Sequence, residues 1–261
     1  MAGATRLLGL PMPRTSKTTL YRLLRGAGIT RPVVLVGHSA GGLYVQMYAT
    51  DHPDAVAGVV LVDPTARDEF RMVWDVLTEE ERAETLAGVP KRFAALKSCV
   101  ERARAGDLAT SSKAGCRYPP TGDPALDTEL RRQYALPKQQ EARFSEMTNF
   151  QPARPDESAG VTMEQAIAKP FRLGDKPLIM LRSSAGRVPP GERGERLKAA
   201  SWADTRRVLS ASPQARYVTV EGSGHVIQDD KPEAVIAAVR EVVERVRSPG
   251  DTARKRENPR P

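Results

Sequence analysis

The chain has 261 residues, of which 40% are apolar and 28% charged, with a formal net charge of +8. This length allows one sizeable core with a smaller insertion, and no apolar run in the sequence is long enough to cross a membrane. Most basic residues are arginines spaced among Glu and Asp, with one local run at 254–260, so the charge predicts a solvated, disordered tail at 249–261 and not a nucleic-acid interface.

The first 64 residues predict two helices and two buried strands. Residues 1–14 lack the pattern of a secretory signal. Residues 15–25 predict a helix, because a capping Thr and Ser precede apolar residues at helical spacing. The valine-rich runs at 33–36 and 58–62 predict strands that are buried on both faces of a sheet. Residues 40–50, between these runs, again have helical spacing.

Residues 65–170 have a different character. Charged helical segments alternate there with Gly-, Pro- and Ser-rich loops, and strand patterns are nearly absent. This stretch interrupts the alternation of strands and helices, so it predicts an inserted helical lid. Several apolar side chains of this stretch form either ordinary lid core or the lining of an acyl or alcohol pocket: Met72, Trp74, Phe93, Leu96, Phe144 and Met147. Cys99 and Cys116 form either a disulfide or two separate thiols, and they lack the companion ligands of a metal site.

Alternation resumes after residue 170. Residues 177–181 predict a third buried strand. Residues 192–209 predict a helix, and residues 216–220 predict a fourth strand. A last helix begins near Pro232, a residue that suits the first helical turn. Strands that alternate with helices predict an α/β fold with a mostly parallel sheet and flanking helices. The predicted core comprises residues 1–64 and 171–248.

The segment Gly37-x-Ser39-x-Gly41 lies at the junction of the first strand and the second helix. The G-x-S-x-G pattern in this context predicts a nucleophile elbow, a sharp turn that lifts a serine hydroxyl above the sheet. Small residues on either side of Ser39 are expected to relieve crowding in the turn. The N–H of Ala40 then lies at the positive end of a helix and can serve in an oxyanion hole. A phosphate-binding turn is the other possibility, but no Walker lysine and no G-x-G-x-x-G pattern accompany it.

A serine nucleophile needs a base, and the chain has three histidines. The side chain of His38 is expected to point away from the elbow, and His52 is expected at the surface. His225 follows the last predicted strand, on the same carboxyl edge of the sheet as Ser39, where sites gather in open α/β sheets. We therefore predict that His225 is the base.

Three segments together resemble the α/β-hydrolase superfamily: residues 34–42, residues 59–64 and residues 222–225. The resemblance implies an α/β-hydrolase fold, a Ser–acid–His triad in that chain order, a helical cap between the sixth and seventh strands, and no cofactor. It also implies a small-molecule acyl substrate such as an ester or lactone. Relatives that cleave epoxides or carbon–halogen bonds use an aspartate where this chain has Ser39.

The chain departs from the superfamily pattern at the triad acid. Members usually carry the acid just after the seventh strand, which corresponds to residues 182–187, and that stretch has no carboxylate. Asp63, at the end of the preceding strand, stands at the same sheet edge and is the favoured candidate. Glu192 and Glu195 are the alternatives.

A second departure concerns the strands before the elbow. About four strands precede the elbow strand in the superfamily, and a loop among them supplies the second oxyanion donor. Only 38 residues precede Ser39 here, and they contain no such set of strands. The sequence therefore predicts a truncated half-sheet, an elbow strand whose exposed edge permits self-association, and a rate lowered by about 10²- to 10³-fold for the lost donor.

The sequence favours a serine hydrolase that cleaves a carboxylic ester or a similar acyl compound through an acyl-enzyme. The alternative is a non-catalytic relative that binds a ligand or a partner. Nucleic-acid binding through the basic tail ranks last.

Overall fold

A computed structural model describes residues 16–108, 116, 121–150, 166, 168–185 and 188–248. Within these residues, the side chains at positions 16–18, 70, 149 and 150 are not described. The predictions for the N-terminal residues 1–15 and for the tail at 249–261 lie outside the described residues.

The described part contains one four-stranded parallel sheet. Its strands are β1 (Val33–His38), β2 (Val56–Val62), β3 (Leu178–Ser183) and β4 (Ala215–Val220), and they neighbour one another in chain order. The four strands and their parallel arrangement confirm the predicted α/β fold. All four strands run the same way, so their carboxyl ends share one edge of the sheet.

Nine α-helices accompany the sheet in the described residues. They are α1 (Ser16–Gly26), α2 (Ala40–Asp51), α3 (Glu69–Val76), α4 (Glu79–Arg104), α5 (Pro124–Tyr134), α6 (Pro137–Phe150), α7 (Glu192–Leu209), α8 (Ile227–Asp230) and α9 (Pro232–Arg247). The helices predicted before, after and between the strands are therefore present, with ends that differ by a residue or two. No helix in the described ranges has both the length and the apolar character to cross a membrane.

Side-chain alternation along the strands builds a core on each face of the sheet. Val59 and Leu61 of β2 belong to one apolar cluster, together with Tyr48 of α2. Val60 belongs to the other, together with Val242 of α9. Successive residues of a strand point to opposite faces, so a run of apolar residues without alternation is what a sheet covered on both sides requires.

The chain divides into two compact units, Met1–Val76 with Gln165–Pro261, and Leu77–Glu164. We call the first the sheet unit and the second the helical unit. The boundaries of the helical unit lie inside the predicted lid interval of 65–170. Helix α3 groups with the sheet unit, where it packs against α7 and the Val76 carbonyl accepts a hydrogen bond of 2.8 Å from Arg196 Nε.

A buried arginine joins the two stretches of the sheet unit that flank the helical unit in sequence. Arg67 is 5% exposed and donates to the backbone carbonyls of Ala166 and Lys169. Burial, followed by the nearby positive charge of Arg207, lowers the pKa of Arg67 to about 10. The backbone carbonyls satisfy donors of a cation that would otherwise be costly to bury.

Several interactions stabilise the helical unit internally. Thr78 and Glu81 form a capping box at the start of α4. Cys99 and Cys116 form a disulfide within a small buried cluster, which settles the alternative that the sequence leaves open. The rings of Phe93 on α4 and Phe144 on α6 meet edge to face, with centroids 6.4 Å apart. Ordinary lid core is thus the better description of these two aromatic residues.

Strand β1 lies at the end of the strand order. Among the described residues it pairs only with β2, and Val36 on it is 46% exposed. An apolar strand edge is a template for pairing with another chain. Self-association through this edge therefore stays a prediction.

We expect Val36→Lys to reduce concentration-dependent association, because a lysine on an edge strand opposes edge-to-edge pairing. Size-exclusion chromatography with light scattering, run over a range of protein concentrations, measures the effect. Ile236→Lys is the matched control, since Ile236 is a 49% exposed aliphatic residue on α9 and not on β1. Equal association of both variants and the wild type, or a wild type that stays monomeric throughout, would contradict this prediction.

Candidate active site

Ser39 occupies the turn between β1 and α2 in a backbone conformation that side chains rarely adopt. Its φ is 52° and its ψ is −124°. Only Ser39 and Asp63 among the non-glycine residues of the described part have a positive φ. Such a conformation costs of order 1–3 kcal/mol and persists only where the surroundings impose it.

Backbone hydrogen bonds hold Ser39 in this turn. Its N–H donates to the Val62 carbonyl at 3.1 Å, and its carbonyl accepts from the N–H groups of Gly42 at 2.9 Å and Thr65 at 3.0 Å. Two of these bonds lead to residues at the end of β2. The turn at Ser39 and the turn at Asp63 are therefore fixed against each other.

The glycines around Ser39 are not equivalent. A Cβ on Gly37 would lie 2.5 Å from the Gly41 carbonyl oxygen, and a Cβ on Gly42 would lie 2.6 Å from Pro64 Cβ. A Cβ on Gly41 would meet nothing within 4 Å. The expectation that small residues relieve crowding on both sides of Ser39 is therefore right for Gly37 but wrong for Gly41. Helix α2 turns the open side of Gly41 away from β1, and the close approach after Ser39 occurs at Gly42 instead.

His225 and Asp63 form a close pair. Nδ1 of His225 lies 2.7 Å from Oδ2 of Asp63, and their side chains are 17% and 11% exposed. His225 follows β4 and Asp63 follows β2, so two loops at the same sheet edge bring the pair together. A carboxylate at this distance fixes the imidazole with its proton on Nδ1 and leaves Nε2 to accept a proton.

The other two acid candidates lie on α7. Glu195 is 72% exposed and its carboxylate binds Lys198 Nζ at 2.7 Å, while Glu192 lies in the first turn of the same helix. Asp63 instead contacts three groups from β3 and the loop after β4. Its Oδ2 accepts from Ser183 Oγ at 3.2 Å as well as from His225, and its Oδ1 lies 3.5 Å from Arg182 Nη1.

His38 lies beside His225, contrary to the expectation that it points away from the site. Its Nε2 donates to the backbone carbonyl of His225 at 2.8 Å, and the two ring centroids are 4.6 Å apart. His38 ends β1, so its side chain emerges at the edge where the loop after β4 also arrives. The rule that places His225 at this edge would also have placed His38 there. His38 directly precedes Ser39, so the contact between His38 and His225 places His225 next to the elbow.

His52 lies at the opposite end of α2 from Ser39 and takes no part in the site. It is half-buried and not a surface residue, since its ring stacks on Tyr21 with centroids 4.2 Å apart and lies 5.0 Å from the ring of Tyr48. The prediction of a surface position did not take these two tyrosines into account, because they lie on different helices. Nowhere in the described residues do three His, Cys, Asp or Glu side chains gather as a metal site would need.

The family of the chain follows from a match over most of its length. Residues 13–238 match the alpha/beta hydrolase family. The chain belongs to the alpha/beta hydrolase family. No curated protein matches its sequence significantly.

Several solved structures share this fold at low sequence identity. A protein from Salmonella enterica assigned as an acyltransferase is 16% identical to this chain, with a TM-score of 0.55 over 89% of this chain and 70% of its own. A protein from Pseudomonas aeruginosa assigned as an epoxide hydrolase is 17% identical, with a TM-score of 0.54 over 90% and 74%. A protein from the same organism assigned as a hydrolytic enzyme is 19% identical, with a TM-score of 0.51 over 87% and 67%. At these identities the likeness concerns the fold.

We expect Gly37→Ala to lower the free energy of unfolding of the sheet unit by about 1–3 kcal/mol, because the added methyl meets backbone that cannot move cheaply. Gly41→Ala is the matched control and should be neutral or stabilising, since alanine is the better helix former. Urea unfolding followed by tryptophan fluorescence measures the difference. Both tryptophans, Trp74 and Trp202, lie in the sheet unit. Equal stability of the two variants would show that the elbow is not crowded at Gly37.

Proposed function

We propose that this member of the alpha/beta hydrolase family is a serine hydrolase that cleaves a carboxylic ester or a similar acyl compound through an acyl-enzyme. The observation that carries the proposal is the 2.7 Å contact between His225 Nδ1 and Asp63 Oδ2. It occurs at the sheet edge where Ser39 is held in its strained turn. A base paired with a carboxylate, at the sheet edge that carries a serine in a sharp turn, is the arrangement expected to activate that serine.

In the proposed reaction, Ser39 Oγ attacks the carbonyl carbon of the ester while His225 Nε2 takes the hydroxyl proton. The tetrahedral intermediate then expels the alcohol, which leaves with that proton from His225. Water attacks the resulting acyl-serine, again with His225 as base, and releases the acid and free Ser39. Asp63 stabilises the imidazolium in both steps and stays ionised.

The negative charge on the carbonyl oxygen needs hydrogen-bond donors. Ala40 is the first residue of α2, and the first N–H groups of a helix have no partner within the helix. The helix dipole adds positive potential at the same place. We assign the Ala40 N–H as one donor of the oxyanion hole.

The proposed role of the helical unit is that of a lid that sets substrate preference. Phe93 of α4 and Phe144 of α6 contact each other and so belong to the core of this unit. Leu96 and Met147 of the helical unit are partly exposed in the structure and stay candidates for the lining of an apolar acyl or alcohol pocket.

The first test is the nucleophile. We expect a fluorophosphonate probe to label the wild type at Ser39, and Ser39→Ala to lose both labelling and hydrolysis of a short p-nitrophenyl ester, because the covalent intermediate forms on that hydroxyl. Intact-mass spectrometry and absorbance at the p-nitrophenolate band measure the two effects. Ser210→Ala is the control, as Ser210 is an exposed residue at the end of α7.

A folded, soluble wild type that is neither labelled nor active would overturn the proposal for this chain. The alternative would then be favoured, in which the fold binds a ligand or a partner without catalysis.

The second test concerns the acid. We expect Asp63→Asn to lower kcat by about 10³- to 10⁴-fold, because an amide cannot hold His225 in the required tautomer or stabilise the imidazolium. Asparagine tolerates the positive φ of 40° at this position, so the backbone should keep its shape. Glu195→Gln is the matched control and should leave kcat unchanged. A large loss in Glu195→Gln with little effect of Asp63→Asn would move the acid to α7.

A further inference from the structure

The carboxylate of Asp63 contacts two basic side chains. His225 Nδ1 approaches Oδ2 at 2.7 Å, and Arg182 Nη1 approaches Oδ1 at 3.5 Å. The Arg182 side chain is 17% exposed and the Asp63 side chain 11%. One oxygen of the carboxylate therefore faces the proposed base, and the other faces the guanidinium of Arg182.

Arg182 differs from His225 in that its charge is permanent. A guanidinium stays protonated throughout the working range of an enzyme, whereas an imidazole gains or loses its charge near neutral pH. Arg182 also donates to the Pro64 carbonyl at 3.1 Å, which anchors it beside the turn that carries Asp63. Its positive charge is thus present whether or not His225 is protonated.

The two charges act on His225 in opposite directions. Asp63 favours the imidazolium, while a fixed cation on the far side of Asp63 disfavours it. Because all three side chains are largely shielded from water, the opposing charge is screened less than on an open surface. The free base, which the proposed reaction needs in order to accept the proton of Ser39, is the form that Arg182 favours.

Groups from three further elements contact His225, the residue before it or Asp63. His38 of β1 donates to the His225 carbonyl at 2.8 Å. Asp230 of α8 accepts from the N–H of Gly224 at 2.7 Å. Ser183 of β3 contacts both oxygens of Asp63 through its Oγ at 3.2 Å and its N–H at 3.4 Å. Ser183 is neutral, so it supplies orientation and no charge.

We propose that Arg182 is a positioning residue that keeps His225 available as a base at lower pH, by sharing the Asp63 carboxylate. This inference rests on the proposed function for its catalytic consequence. The effect on the protonation of His225 holds without catalysis.

The test compares protonation of His225 in variants that remove or keep the charge at position 182. The chain has three histidines, so proton NMR can follow each C2–H, with His225→Gln identifying the resonance of His225. We expect Arg182→Met to move the midpoint of the His225 titration upward by about 0.5–1 pH unit. Arg182→Lys, which keeps the charge, and Ser183→Ala, which removes a neutral contact, should each shift it by less than half as much.

The kinetic counterpart is the acid limb of the kcat/KM profile, which reports the base of the free enzyme. It should move in the same direction and by the same amount in Arg182→Met, with Arg182→Lys close to the wild type. Circular dichroism checks that each variant is folded, and Arg182→Gln, which keeps a hydrogen-bond donor for Pro64, replaces Arg182→Met if that variant is not.

The outcomes separate this inference from the proposed function. A His225 midpoint that is unchanged or lowered in the charge-removing variant overturns the role of Arg182, even in an active enzyme. An upward shift observed by NMR in a protein without hydrolytic activity supports the role of Arg182 and overturns only the proposed reaction.

Discussion

The site depends on hydrogen bonds that continue the sheet ladder past the ends of its strands. The N–H of Ser39 donates to the carbonyl of Val62, and the N–H of Asp63 donates to the carbonyl of Leu181 at 2.9 Å. The residue that follows one strand is thereby hydrogen-bonded to a residue near the end of the next strand. Because both Ser39 and Asp63 have a positive φ, these bonds impose conformations that neither residue would adopt alone. In this way, side chains at the ends of three neighbouring strands lie in a row along one edge of the sheet.

Much of this architecture could be predicted from the amino-acid sequence, because it depends on local patterns. The valine-rich run at 58–62 has one physical solution, a strand buried on both faces, whereas the run at 33–36 forms the terminal strand of the described sheet, where Val36 is 46% exposed. The parallel order follows from the helices between the strands. The pairing of Asp63 with His225 followed from the same geometry. Asp63 comes directly after β2 and His225 lies in the loop after β4, so both emerge at the carboxyl edge of the parallel sheet.

The features that could not be predicted depend on contacts between residues far apart in the chain. The crowded glycine is Gly42 and not Gly41, because the loop after β2 brings Pro64 against it. The contact of His38 with the His225 backbone depends on the path of a loop 187 residues away in sequence. The disulfide between Cys99 and Cys116 likewise depends on the fold around both residues, since a spacing of 17 residues permits pairing without requiring it.

The disulfide makes the two units of the chain respond differently to their chemical surroundings. Both cysteines of the sequence lie in the helical unit, and closing a loop of this size stabilises a fold by about 3 kcal/mol in the chain-entropy description. A thiol reductant would therefore destabilise the helical unit. The sheet, with the elbow and the Asp63–His225 pair, contains no cysteine that the reductant could act on. The ambient redox potential thereby controls the stability of the helical unit and leaves the chemistry at the sheet edge untouched.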